Sequence, residues 1–247
     1  MTASRRGLVV PSIAAGLAFV VLVALGVWQV QRLQWKEALI ARVNARVDAL
    51  PVAAPGPESW PDLDLVTAEY QPISVRGRFL DSDEAHVFTV LSAPRGPYGG
   101  LGYFVMTPLE TEDGWIVYVN RGFVPEAKKD AATRPGGRTD GEISVTGLLR
   151  APRSRSWFSA EDDLAANVWF SRDPKLFAAW SGLSPAQVAP YTIDSEFDPA
   201  LTGGLPQGGE TLVTFPNNHL GYALTWFGLA IGLAGVFLVY IRGRLRA

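Results

Sequence analysis

Residues 216–227 read PNNHLGYALTWF and join a polar loop to a long apolar run. That run continues to about residue 241 without a charged side chain, and a second apolar run covers residues 8–30. Each is long enough to cross the ~30 Å hydrocarbon layer as a helix that rises about 1.5 Å per residue. A helix satisfies its own backbone hydrogen bonds inside a bilayer, where no water can do so. The sequence therefore predicts two transmembrane helices, residues 8–30 and 219–241, on either side of a central domain, residues 31–218.

Basic residues indicate the orientation of the helices. Arg242, Arg244 and Arg246 follow the second span, and cytoplasmic flanks are enriched in such residues. Two spans place both termini on one side, so we expect cytoplasmic termini and an extracytoplasmic central domain. A cleaved signal peptide is the alternative for the N-terminus, where Arg5 and Arg6 precede the run. The run is longer than the usual signal core of about 7–15 residues, which favours an uncleaved anchor.

The composition excludes several chemistries. The 247-residue chain contains no cysteine, so disulfides, thiolate metal sites, iron–sulfur ligation and a thiol nucleophile are ruled out. Its net charge of −2 comes without a basic face, so we expect no nucleic-acid binding. We find no P-loop, no dinucleotide fingerprint and no nucleophile elbow. A metabolic enzyme is therefore not the favoured class.

The central domain has the sequence pattern of a β-rich fold. Alternating apolar residues predict strands at 71–80, 86–92, 103–109, 115–123, 142–150 and 191–195. The Asp-Gly at 113–114 predicts a hairpin, and residues 173–180 predict a short helix. The first membrane helix is expected to continue to about residue 49. Strands joined by short turns favour an antiparallel sheet closing towards a barrel, and hence an α+β membrane protein with short helices.

His219 is the first candidate ligand. Imidazole is a common ligand of transition metals and an axial ligand of haem iron. Tyr222 and Trp226 follow at i+3 and i+7, so one helix face offers a nitrogen ligand beside an aromatic wall. A bare zinc or copper ion would need three or four ligands. The alternative is a helix start capped by Asn217 or Asn218, with the aromatic residues as a membrane belt.

Two arginines, Arg32 and Arg121, are candidates for binding an anionic group. Arg32 lies on one helical face with Trp28 and Trp35, where it can simply reach the headgroups. Arg121 ends an apolar strand, where it can pair with an acidic group inside the domain or clamp a carboxylate such as a propionate.

His86 follows several acidic residues and raises the alternative of an anchored periplasmic hydrolase or metal enzyme. Asp81, Asp83 and Glu84 precede it within five residues, as in a weak cluster for a hard metal ion. A solvated turn before a strand is the simpler interpretation of this run.

Three motifs in order carry a family resemblance. They are GVWQVQRLQWK at 26–36, VNRGFVP at 119–125 and NHLGYALTWF at 218–227. Together with residues 70–79 and the two spans, they resemble the Surfeit-locus (Shy-type) cytochrome c oxidase assembly factors across essentially the whole chain. Phe123 departs from the family, which usually has tryptophan there.

The resemblance implies a bacterial inner-membrane protein, multi-pass, with a periplasmic domain. It implies an assembly factor and haem chaperone rather than an enzyme, with no catalytic residues. It implies haem a binding with His219 as axial ligand, and insertion into the oxidase catalytic subunit. Tyr222, Trp226 and Trp28 would pack the macrocycle, and Arg32 or Arg121 would meet a propionate. The expected partners are that subunit, a haem a synthase and the lipid bilayer. A cofactor-free scaffold that stabilises an oxidase intermediate is the alternative.

Overall fold

The computed structural model describes residues 3–80, 84–139, 141–197, 204–211 and 217–246. The chain divides into two compact units, one formed by Met1–Val43 with Thr214–Ala247 and the other by Asn44–Val213. Residues 198–203 and 212–216, in the segment between β7 and α4, lie outside the described residues.

The first unit contains α4 (His219–Arg246) and all but the last turn of α1 (Ala3–Val47), which enters the second unit after Val43. Leu8–Ala38 and His219–Arg246 are each long and apolar enough to cross a membrane, as the sequence predicts. The ring of Phe227 packs against Gly26 in α1, and His219 contacts Gln29. Gln29 follows Gly26 in α1, whereas its partner His219 precedes Phe227 in α4. The two helices therefore run antiparallel.

The second unit is a β-barrel with few short helices, as the strand pattern predicts. Its strands are β1 (Val52–Ala53), β2 (Pro72–Phe79), β3 (Ala85–Leu91), β4 (Gly100–Thr111), β5 (Ile116–Pro125), β6 (Ile143–Arg150) and β7 (Val188–Ser195). Neighbouring strands form the order β1-β2-β6-β7-β5-β4-β3, and an additional pairing of β2 with β4 closes the ring. Closure pairs the five strands of the ring, β2, β6, β7, β5 and β4, on both sides, whereas β1 and β3 each pair with one strand of it. Two pairings, β1–β2 and β5–β7, are parallel.

Short helices accompany the barrel. They are α2 (Leu65–Ala68), α3 (Pro174–Ser181) and single 3₁₀ turns at Trp60–Asp62, Glu126–Lys128, Ala131–Thr133, Pro135–Gly137 and Pro185–Gln187. As predicted, the Asp173 carboxylate caps the start of α3 by accepting a hydrogen bond from the Lys175 N–H, and Gly182 ends the helix. Three of the 3₁₀ turns lie in the segment between β5 and β6.

Strand β5 lies at the centre of the packing because both of its faces are buried. Val117 and Val119 point into the barrel, where they meet Leu109 of β4 and Ile193 of β7. The alternate residues Ile116 and Tyr118 belong to a second cluster, which includes Phe177 of α3. A strand buried on both faces is continuously apolar rather than alternating, which accounts for the run IVYV at its start. β5 thereby fixes the position of Asn120, Arg121 and Gly122 at its end.

Candidate functional site

His219 is the first residue of α4, and a hydrogen bond to α1 holds its imidazole ring. Its Nδ1 lies 2.7 Å from Oε1 of Gln29 on α1. An amide oxygen can only accept a hydrogen bond, so Nδ1 carries the proton. In the neutral ring Nε2 then keeps its lone pair, which is the form that binds a metal. Gln29 is 8% exposed, so this acceptor is fixed inside the helix pair.

Close approach of the two helices makes this bond possible. A Cβ on Gly26 would lie 2.6 Å from the ring of Phe227, so glycine is required for the ring to pack there. Ala223 and Ala230 are 2% exposed and also lie in the contact. Small residues at a helix interface let backbones come together, and here they bring Gln29 within reach of His219.

The aromatic wall lies beside His219 on α4. At about 100° per residue, His219, Trp226 and Tyr222 fall within an arc of about 60°. Trp226 is half-buried, whereas Tyr222 is 57% exposed. The structure therefore brings these three predicted residues onto one side of the helix.

Arg32 lies on the same side of the helix pair as Tyr222. Arg32 follows Gln29 by three residues, and Tyr222 follows His219 by three residues, so each is rotated by the same angle in the same sense. In an antiparallel pair of right-handed helices, equal rotations from a contact pair lead to the same side. Along the helix axes, Arg32 lies about 4.5 Å from Gln29 and Tyr222 about 4.5 Å from His219, in opposite directions. Along the axes, Arg32 and Tyr222 thus lie on opposite sides of the His219–Gln29 contact, on one side of the helix pair.

The remaining predicted residues of α1 lie farther round that helix. The Arg32 guanidinium carbon is 5.0 Å from the ring centroid of Trp35, so these residues form the predicted common face. Trp28 is one residue, or about 100°, from Gln29 and is 49% exposed. Trp28 therefore faces away from α4 more than Arg32 does.

Arg121 belongs to the barrel and is buried there. Its guanidinium donates hydrogen bonds to the carbonyl of Gly137 and to Oγ1 of Thr139, and it stacks 4.4 Å from the ring centroid of Phe79. Arg121, Phe79 and Thr139 also line a cavity of about 260 Å³. Much of the donor capacity of Arg121 is therefore used within its own unit.

The rest of the central motif holds a loop against the barrel. Gly122 has a positive φ of 127°, and a Cβ there would overlap the carbonyl oxygen of Gln207. Phe123 next to it is fully buried and exchanges both backbone hydrogen bonds with Gln207 at 2.8 Å. Glu210 binds the same loop to the backbone N–H groups of Arg95 and Gly96. The motif thus fixes residues 204–211, which precede α4 in the chain.

A buried carboxylate lies under this loop. Asp194 of β7 pairs with Arg150 at 2.7 Å and with Arg172 at 3.0 Å, and it accepts hydrogen bonds from Asn120 and Thr211. Burial alone would raise the pKa of Asp194, but the charges of Arg172 and Arg150 outweigh burial and lower it. This network stabilises the join between β5, β7 and the loop.

His86 and Glu84 form a structural pair in the described part of the chain. Nε2 of His86 donates to Oε1 of Glu84 at 3.1 Å, and Arg134 binds the same carboxylate. Burial alone would raise the pKa of Glu84, but the bond from His86 and the charge of Arg134 lower it. Asp81 and Asp83 lie outside the described residues. Among those described, no three His, Cys, Asp or Glu side chains come together as a metal site.

Comparison with known proteins identifies the family. The model of the SURF1 family matches residues 16–231. The chain belongs to the SURF1 family. Surfeit locus protein 1 of Homo sapiens is 37% identical over 231 residues, which cover 89% of this chain and 74% of that protein. The SURF1-like protein of Drosophila melanogaster is 37% identical over 219 residues, covering 83% and 69%. That of Monosiga brevicollis is 34% identical over 223 residues, covering 87% and 82%.

The SURF1 match includes both helices and the barrel. It contains Gly26 and Gln29 of α1 as well as His219 and Phe227 of α4. Sequence patterns alone did not single out Gln29, because a glutamine in a helix next to headgroups is chemically unremarkable in isolation. Its role depends on the register of two segments separated by 190 positions.

Proposed function

We propose that this SURF1-family protein is an assembly factor for haem-copper cytochrome c oxidase, and that it binds haem a and aids its insertion into the catalytic subunit. The observation that carries the haem proposal is the bond from His219 Nδ1 to Gln29, since it directs a lone pair at Nε2. A carrier of this kind needs no turnover chemistry of its own.

The residues present fit haem better than a bare ion. A haem macrocycle supplies four nitrogens to its iron, so one protein nitrogen is enough for binding, whereas zinc in proteins takes three or four protein ligands. Histidines that bind metals almost always donate their other ring N–H to an oxygen acceptor, as His219 does to Gln29. The side of the helix pair next to His219 also combines the apolar aromatic residues and the cation that an amphipathic macrocycle requires.

Each residue has a distinct part in this proposal. His219 would hold the haem iron through Nε2, and Gln29 fixes the imidazole ring. Tyr222 and Trp226 would pack against the macrocycle, with Trp28 at the margin. Arg32 would neutralise a propionate, and Arg121 is the second candidate for that task. A single ligand from this chain leaves the cargo exchangeable, as delivery to an acceptor demands.

The proposed location is the bacterial inner membrane. Arg242, Arg244 and Arg246 at the end of α4 favour cytoplasmic termini and a periplasmic barrel. This orientation puts His219 at the periplasmic edge of the bilayer. The proposed partners are the oxidase catalytic subunit, a haem a synthase that supplies the cargo, and the surrounding lipid.

The decisive experiment is the absorption spectrum of the full-length protein purified with and without co-expressed haem a synthesis. We expect a Soret band in the wild type and its loss in His219→Ala. Asn218→Ala, which changes the exposed neighbouring residue and leaves the imidazole in place, is the matched control. Full Soret absorbance in His219→Ala would exclude His219 as the ligand.

A cofactor-free scaffold is the second candidate, and the surface of α4 favours it. Among the described residues, a Cβ on Gly228 or Gly232 would meet no atom within 4 Å, so these glycines do not serve the contact with α1. They leave a close-packing surface for a helix of another protein. In this case Gly228→Leu with Gly232→Leu would abolish oxidase assembly, whereas His219→Ala would leave it intact.

A further inference from the structure

The loop before α3 presents two aromatic rings to solvent. Trp157 is 91% exposed and Phe158 is 75% exposed. Their rings pack edge to face, with centroids 5.6 Å apart. Aromatic residues normally account for much of a protein's buried surface, so a nearly bare pair at a loop tip indicates a binding surface rather than part of the core.

The loop that carries the two rings is held by its own hydrogen bonds. Ser159 N–H donates to the carbonyl of Ser156 at 3.0 Å, which closes a turn around the rings. Before the turn, Arg153 exchanges backbone hydrogen bonds with Arg172 at 2.7 and 2.8 Å. After it, the Asp162 carboxylate accepts hydrogen bonds from the Phe170 and Ser171 N–H groups. The exposure of the rings is therefore built into the fold of this segment.

The charges near the rings favour a lipid headgroup region. Arg153 and Arg155 precede them within four residues, and basic residues next to tryptophan are typical of membrane interfaces. Glu161 and Asp163 are the exposed acids nearby, and Glu161 lies 3.7 Å from Arg155. Asp162 is occupied by backbone N–H groups, and Asp163 accepts from the Ala166 N–H at 2.9 Å.

The size of the patch argues against a protein partner. Two aromatic side chains can bury roughly 150–250 Å² each, whereas a stable protein interface needs about 800 Å² from each partner. A bilayer surface sets no such requirement, because isolated rings can enter it singly. The barrel unit, Asn44–Val213, is also joined at both ends to helices that can span a membrane, Leu8–Ala38 and His219–Arg246. A lipid surface is thus always within reach of the chain.

We propose that Trp157 and Phe158 form a second membrane contact, in which the loop inserts its rings between phospholipid headgroups and Arg153 and Arg155 bind the phosphates. This contact is independent of haem binding.

The absence of cysteine from the chain allows a direct test. Trp157→Cys creates a unique site for a nitroxide label in the full-length protein, in nanodiscs containing phosphatidylethanolamine and phosphatidylglycerol. Val66→Cys is the matched control, because Val66 is 84% exposed on α2 of the same unit. We expect the label at 157 to collide several-fold more with oxygen, and several-fold less with a water-soluble nickel chelate, than the label at 66.

A second variant separates lipid from protein contact. Adding Phe158→Asp to Trp157→Cys should expel the loop and raise nickel access at 157 to the level at 66. Equal nickel access at 157 and 66 without that addition would overturn the proposal. A label at 157 shielded from both oxygen and nickel would overturn it as well, because it would indicate a protein surface. Unchanged melting temperatures would verify that each variant is folded.

Discussion

Replacing Gln29 by leucine tests the geometry of the candidate site most directly. Leucine fills much of the same space on α1 with an apolar side chain but removes the oxygen that lies 2.7 Å from His219 Nδ1. The buried amide disappears together with its need for a partner, so we expect the helix pair to remain folded. What changes is that the proton of His219 is no longer confined to Nδ1.

The expected loss can be worked out from the contact that is removed. A neutral hydrogen bond contributes about 0.5–1.5 kcal/mol net. Removing the partner of a metal-binding histidine typically weakens metal binding about 10–100-fold, which equals about 1.4–2.7 kcal/mol. Because Gln29 is buried and its hydrogen bond is short, we expect haem a affinity to fall at least about tenfold.

Two measurements check this expectation. Haem a titration into nanodiscs, followed in the Soret band, gives the affinity. ¹⁵N chemical shifts of the His219 ring in haem-free protein report which nitrogen is protonated, and the chain contains only 2 histidines to assign. Gln29→Glu keeps an acceptor oxygen and should stay within a few-fold of the wild type. Gln31→Leu makes the same chemical change at an exposed position of α1.

The outcomes separate the role of Gln29 from the function itself. Wild-type affinity and an unchanged Nδ1–H tautomer in Gln29→Leu would refute the role assigned to Gln29. If the wild type binds no haem a at all, the haem proposal fails, and the ring shifts still report whether Gln29 fixes the tautomer.

Three further predictions concern packing and charge. Gly26→Val should displace the Phe227 ring and weaken haem a binding about tenfold, as Gln29→Leu does, whereas Gly16→Val, at an open position, should not; titration checks both. Gly122→Ala should destabilise the barrel by about 2–4 kcal/mol, measured by urea unfolding, through backbone strain and overlap with the facing loop. Asp194→Asn should cost about 3–5 kcal/mol because two buried arginines lose their counter-charge. The pKa of Asp194 is lowered on folding, so its contribution to the free energy of unfolding is present above its ordinary pKa of 3.8 and is lost as the pH falls further. The unfolding free energy of Asp194→Asn should not show this loss at acid pH.

Local patterns were sufficient to predict most of the barrel. Alternation predicted β2 and β6, and Asp-Gly predicted the hairpin between β4 and β5, because these features depend on neighbouring residues alone. The parallel pairing of β5 with β7 could not be predicted in this way. It joins strands separated in the chain by β6 and α3, so it depends on the order in which distant strands pack rather than on any local signal.

The candidate site was predictable only in part, for a related reason. His219, Tyr222 and Trp226 share one helix, so their spacing shows that they share a face. Gln29 lies on the other helix, and its contact with His219 depends on how closely Gly26 and Phe227 let the helices approach. Asp194 escaped notice because a lone acidic residue in a strand gives no sign of the two arginines that meet it.

The three motifs divide into two physical roles, which determines how variants should be interpreted. The first and third motifs meet at Gln29 and His219, whereas the central motif, through Asn120 and Gly122, holds the loop at 204–211 against the barrel. Variants at Asn120 and Gly122 should therefore lower the amount of folded protein while leaving haem a per folded molecule unchanged. Variants at the helix contact should do the reverse. Haem a occupancy normalised to folded protein separates the two, and a central-motif variant with full folding but empty sites would contradict this division.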